Sequence, residues 1–157
     1  MPLQIKSSAF ASNGNIPTEF TCEGADVAPP LEWSGVPAKA KSLALIVDDP
    51  DAPDPKAPKR TYVHWVLYNM PASATSLPKG AQQLPSGTRQ GKNDWKQARY
   101  GGPCPPIGRH RYFFKLYALD ATLADLKEPD KAALEAAMRG HILEQAQVIG
   151  TYEKSKK

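Results

Sequence analysis

Thr61-Tyr62-Val63-His64-Trp65-Val66-Leu67-Tyr68-Asn69-Met70 decides the fold class of this chain. Strand side chains point alternately to opposite faces, so Val63, Trp65 and Leu67 fall on one side and Tyr62, His64, Val66 and Tyr68 on the other, and Pro71 closes the run. The segment predicts a β-strand. Arg111 to Leu119 repeats the pattern, with Tyr112, Phe114, Leu116 and Ala118 facing one way and Arg111, Phe113, Lys115, Tyr117 and Leu119 the other. Upstream, Ser42-Leu43-Ala44-Leu45-Ile46-Val47 is continuously apolar and runs out into acids and Pro50, which predicts a strand buried on both faces.

The segments between these strands are rich in proline, glycine and asparagine: Ala28 to Pro30, Asp48 to Pro58 and Pro85 to Gly108. They read as loops, and the last is long enough to suggest function. One helix is expected, opened by Pro129-Asp130, carried by Ala132 to Met138 and stopped by Gly140, with a second short turn over Ile142 to Gln145. Val148 to Tyr152 reads as a final strand. The 16 prolines among 157 residues are about twice the usual share and exclude long helices from most of the chain. The length fits one domain spanning 1–157, mainly β, with a single helical excursion near the C-terminus.

Charge narrows the partners. The net charge is +4, and residues 153–157 supply +2 of it through three lysines against one glutamate. The body therefore lacks the basic stripe that nucleic acid requires, and 154–157 reads as a solvated basic tail. No apolar run approaches the roughly 20 residues of a bilayer span, which argues against integral membrane association. Met1 to Lys6 has no secretory pattern, so a cytoplasmic location is expected. Cys22 and Cys104 are too few for a disulfide scaffold or an all-cysteine zinc site. Two free thiols are expected in preference to a bridge between them.

Three clusters hold candidate chemistry. Asp48-Asp49-Pro50-Asp51-Ala52-Pro53-Asp54 fails as a calcium loop, since the sixth position from Asp49 is Asp54 where glycine is needed; strand-ending Asx turns are the plainer reading, and no metal or other cofactor is expected. His64 lies within an alternating strand, a setting more often structural than ligand-binding. Tyr100 to Tyr112 joins Gly101-Gly102, whose backbone N–H groups suit an anion, to a proline-stiffened turn and to His110 and Tyr112, which project to one side of a strand. A proline-packed bend before an aromatic core strand is the competing interpretation. Taken together, histidines, backbone donors and an orienting carboxylate favour a phosphate monoester.

Asp49-Pro50-Asp51-Ala52-Pro53, then His64, then Gly102-Pro103 and Gly108-x-His110-Arg111-Tyr112, in this order, resemble the signature of the phosphatidylethanolamine-binding protein family. Phe20 to Gly24, Ala28 to Trp33, Tyr100 to Pro106 and the ending His141 to Tyr152 are similar to its bacterial and archaeal Raf kinase inhibitor-like branch. The resemblance covers about residues 5 to 153. It implies two packed antiparallel sheets and a pocket for phosphate-like anions, phosphorylethanolamine or phosphorylated side chains. Asp49, His64, Gly102, Pro103, His110 and Tyr112 are the implied ligand-binding residues, with Asp51 and Trp65 as secondary candidates. His64, His110 and Tyr112 would donate to the anion, Gly102 would offer its N–H, and Asp49 would orient a histidine. Animal members add a C-terminal helix with a tyrosine, whereas this sequence ends in an expected strand and a lysine tail, so no residue is carried across from there.

The leading expectation is a non-enzymatic binding or regulatory protein for a small phosphate-containing ligand or a phosphorylated protein, and a homodimer is a family-based expectation. A protease or kinase inhibitor acting through Gly101 to Pro106 or Asp51 to Pro58 is the alternative. A hydrolase ranks lower, because Cys104 is the only nucleophile near the pocket motif and no Gly-x-Ser-x-Gly elbow or metal triad accompanies it.

Overall fold

The computed structural model describes residues 2–81 and 83–154, so most of the expected basic tail, 155–157, lies outside the described residues. The strands are β1 (Gln4–Lys6), β2 (Gly14–Asn15), β3 (Leu31–Ser34), β4 (Ser42–Ala52), β5 (Arg60–Pro71), β6 (Ser76–Leu77), β7 (Arg89–Gln90), β8 (His110–Leu119) and β9 (Ile142–Tyr152), with helix α1 (Lys131–Met138) before the last. They form a three-stranded sheet, β1-β3-β6, and a six-stranded sheet, β2-β9-β8-β4-β5-β7. All described pairings are antiparallel except β2 with β9, which is parallel. That pairing depends on Gly150, where a Cβ would stand 2.5 Å from Ile16 and 2.9 Å from Phe10.

Burial on both faces of β4 explains its unbroken apolar run. Leu43, Leu45 and Val47 enter the main core with Trp65, Leu67, Phe114 and Leu116, which meets Ile5, Leu31 and Trp33 of the smaller sheet. Ala44 and Ile46 join Val66, Tyr68 and Leu119 in a second core, covered by Leu134 and Met138 of α1. The helix begins where Asp130 caps it, its carboxylate accepting from the Ala133 amide at 2.8 Å. Gly140, at φ 84°, follows its end.

Four expectations need correction, the briefest being that Arg89–Gln90, within the segment read as loop, forms β7 against Leu67 and Tyr68 of β5. The segment Asp48 to Ala52 is not loop: β4 continues through it, pairing Asp48 with Val63, Asp49 with Tyr62 and Ala52 with Arg60. Pro50 is tolerated because it falls in the register break between Asp49 and Ala52, beyond the last β4–β8 pair at Asp48. Ile142 to Gln145 is not a helical turn but the start of β9, whose ladder with β8 runs from Leu119–Ile142 to His110–Tyr152. Tertiary pairing there overrides a local preference for helix. Finally, Cys22 and Cys104 are not free thiols; they form a disulfide. The turn after Phe20 runs against the loop at Gly102, the Cys22 amide donating to the Pro103 carbonyl at 3.1 Å, and chain proximity of this kind is invisible at a separation of 82 residues.

Candidate functional site

A register shift at His64 creates the site. Val47 pairs with Trp65 and the next residue, Asp48, with Val63, so His64 is an extra residue on β5, a β-bulge of the kind that re-aims side chains beside functional sites. Its imidazole joins Tyr62 from the same strand, Asp49 at the end of β4, and His110 and Tyr112 at the start of β8. With Trp95 and the Cys104 to Pro106 wall, these residues line a cavity of about 550 Å³, and Lys59 and Arg60 stand at its mouth.

His110 is enclosed by acceptors. Its Nδ1 lies 2.6 Å from Asp49 Oδ2, and its Nε2 lies 2.8 Å from the Ile107 carbonyl and 3.1 Å from that of Pro53. Carbonyls only accept, so Nε2 carries a proton, and a second proton must lie between Nδ1 and the carboxylate. The Asp49–His110 pair thus holds two protons and is neutral as a unit. Burial raises the Asp49 carboxyl above its usual range, against the lowering effect of the hydrogen bonds from His110 and the Asp51 amide.

His64 has the opposite surroundings. Its Nδ1 donates to the Gly101 carbonyl at 2.8 Å, and Nε2 has no hydrogen-bond partner among the described residues. The ring is caged by the edges and faces of Tyr62, Trp95 and Tyr112, with centroids 5.5, 5.1 and 5.1 Å away. Burial lowers its pKa to about 4, so it is neutral at pH 7 and its unpartnered nitrogen is an acceptor. Burial, with the Asp49 charge second, raises the Tyr112 hydroxyl; it stays protonated and has no partner among the described residues.

The structure thus brings Asp49, His64, His110 and Tyr112 together and leaves the other candidates outside the lining. The Gly102 amide donates to Asp26 Oδ1 at 2.7 Å, and the Gly101 amide donates to the His64 carbonyl at 2.9 Å, so neither faces the cavity. Gly102 serves close packing: a Cβ there would lie 2.4 Å from the Phe20 carbonyl. The Pro103 carbonyl takes the Cys22 amide. Asp51 accepts three hydrogen bonds from Arg111, all at 2.9 Å, and Trp65 is core, its Nε1 donating to Gln90. Sequence reasoning missed Lys59, Arg60, Tyr62 and Trp95. Tyr62 was detectable from its place two residues before His64; Trp95 lies in a turn held by the Asn93 side chain and carried no signal. Among the described residues no group of three His, Cys, Asp or Glu side chains is placed to hold a metal ion.

A mainly β domain of two unequal sheets, with a histidine- and aromatic-lined cavity where β4, β5 and β8 meet, is the class that these features define. Residues 6–153 match the family model for phosphatidylethanolamine-binding protein, and the chain belongs to that family. It is 46% identical over 155 residues to a UPF0098 protein of Methanothermobacter thermautotrophicus, covering 97% of this chain and 99% of that one. It is 44% identical to a UPF0098 protein of Chlamydia pneumoniae, covering 98% and 100%. Among solved structures, the Chlamydia trachomatis homologue CT736 superposes with a TM-score of 0.91 at 40% identity, over 98% of this chain and 99% of that one. Escherichia coli YbcL gives 0.89 at 32%, over 99% and 100%. No helix among the described residues is long and apolar enough to cross a membrane.

Proposed function

We propose that the protein is a non-enzymatic binding module whose pocket takes a phosphate-type anion, such as a phosphorylethanolamine head group or a phosphorylated side chain. The observation that carries this reading is the unpartnered Tyr112 hydroxyl beside His64 in a cavity whose charge is net positive. The Asp49–His110 pair is neutral and Arg60 is matched by Asp94 at 3.1 Å, whereas Lys59 has no carboxylate partner among the described residues. Binding is favoured over catalysis because the nearby sulfur, Cys104, is locked in a disulfide and cannot act as a thiolate. Addition of O-phosphorylethanolamine should produce saturable amide shifts at Asp49, His64 and Tyr112, and Tyr112→Phe should weaken binding roughly fivefold, the value of about one hydrogen bond. Absence of any shift at millimolar ligand would sink the reading.

A second reading, inhibition of a protease or kinase, is favoured by one feature. Ile107 is 53% exposed on a proline-rich loop anchored by the Cys22–Cys104 bond, and a pre-ordered loop loses little entropy on binding. Assays against a protease and kinase panel test it; no inhibition by excess protein counts against it. The bridge also fits an oxidising compartment better than the cytoplasm, and a thiol count on protein taken from its native source decides between them. The expected homodimer is checked by sedimentation.

A further inference from the structure

We propose that the pocket, on the reading above that it binds a phosphate-type anion, takes a proton-bearing oxyanion whose P–OH donates to His64 Nε2, so that it selects phosphomonoesters over sulfate esters. The His110 and backbone donors that the sequence motif suggests for an unprotonated anion are engaged elsewhere. Both nitrogens of His110 face protein acceptors, and the Gly101 and Gly102 amides bond to the His64 carbonyl and Asp26. What remains on the lining is the Tyr112 and Tyr62 hydroxyls and Trp95 Nε1 as donors, Lys59 as cation, and one nitrogen that can only accept. That acceptor is His64 Nε2, since the proton on Nδ1 is fixed by the Gly101 carbonyl.

A second proton on His64 is poorly supported by its neighbours. From β4, Asp48 and Asp49 act on this region, but Asp48 is held by Lys115 at 3.1 Å and Lys131 at 2.8 Å, and Asp49 by His110. Asp94, beside Trp95, is held by Arg60. Tyr62 on β5 and Tyr112 on β8 are neutral, the carbonyls of Gly101 and Gly102 supply the only direct support, and Lys59 and Arg60 are repulsive. Each nearby carboxylate therefore has its own cation, and none is left for a His64 imidazolium. Burial places the His64 pKa at about 4, whereas a phosphomonoester loses its second proton at about 6. The proton is easier to keep on the ligand by roughly two units, or about a hundredfold. A sulfate ester carries the same single charge as the phosphomonoester monoanion but has no proton to offer.

The test is calorimetry with O-phosphorylethanolamine and ethanolamine O-sulfate, a pair matched in its ammonium end. At pH 8, in two buffers of different ionisation enthalpy, the phosphate ligand should bind with uptake of close to one proton, and its affinity should fall as pH rises from about 6 to 8. The sulfate ester should bind roughly a hundredfold more weakly. In His64→Gln, whose amide can donate, the discrimination should collapse; should that variant not fold, the proton count of the unaltered protein decides alone. Sulfate binding within about threefold of phosphate, without proton uptake, overturns the proposal and leaves the anion pocket standing. If neither ligand moves the Tyr112 resonances, the pocket reading falls and the proposal with it.

Discussion

His110 and His64 flank one tyrosine, their ring centroids 6.4 and 5.1 Å from that of Tyr112, yet the protein uses them in opposite ways. His110, fully buried, meets a carboxylate and two carbonyls, and every one of its protons is held by the fold. His64 meets one carbonyl and three aromatic rings, which leaves Nε2 without a partner among the described residues. The difference comes from backbone geometry. His110 lies in regular register opposite Tyr152, whereas the bulge at His64 turns its ring into the cavity. Residue type and alternation alone do not separate a histidine whose nitrogens are all engaged from one with a nitrogen left unpartnered; the supply of acceptors does.

The sharpest way to break this contrast is to delete each ring. His110→Ala leaves Asp49 buried without its partner and should cost roughly 3–5 kcal/mol in denaturant unfolding, while His64→Phe, which removes one hydrogen bond to Gly101, should cost about 1–2 kcal/mol. Equal costs would contradict the division of roles. Next in size is the Cys22–Cys104 bond, which closes a separation of 82 residues three residues from Gly101. Its reduction should lower stability by about 3–4 kcal/mol, measured by chemical denaturation with and without reductant, and should shift the His64 amide.

Acid isolates the His64 side. Its folded pKa of about 4 lies below the unfolded value of about 6.5, so the unfolded state binds more protons between these values. The resulting stability loss is absent above pH 6.5, grows as pH falls, and reaches about 3 kcal/mol near pH 4. Asp49 acts in the opposite sense there, because a raised carboxyl pKa favours the folded state as acid is added. The difference between the unaltered protein and His64→Phe across that range therefore reports His64 alone, and a flat difference would show that the ring is not held neutral. The smallest effect is local: Asp130→Ala removes the cap from α1, which packs on the second core and contributes no residue to the cavity lining, and should cost about 1 kcal/mol with no change in affinity for O-phosphorylethanolamine.

The central strands were legible because their side chains sort by face, and Asp49, His64, His110 and Tyr112 could be gathered because each lies at a strand end or on an alternating stretch. What the sequence hid was set by partners distant along the chain. Pro50 disguised the last turn of pairing in β4, since its tolerance depends on a register break opposite Tyr62 and Arg60. The helix-favouring Leu143-Glu144-Gln145 disguised the start of β9 until β8 supplied a ladder. The Gly102 amide reads as a free donor unless Asp26, 76 residues away, is known to reach it. Trp95 reaches the cavity from a turn with no periodicity to mark it.

Nitrogen-15 NMR of the histidine side chains at pH 7 tests the central claim most directly. Two exchange-protected ring protons are expected at His110, one shared with Asp49 and one directed at the Ile107 and Pro53 carbonyls, and at His64 a single Nδ1 proton with a bare Nε2. A doubly protonated His64, or a His110 with one unprotonated nitrogen and no proton shared with Asp49, would contradict it.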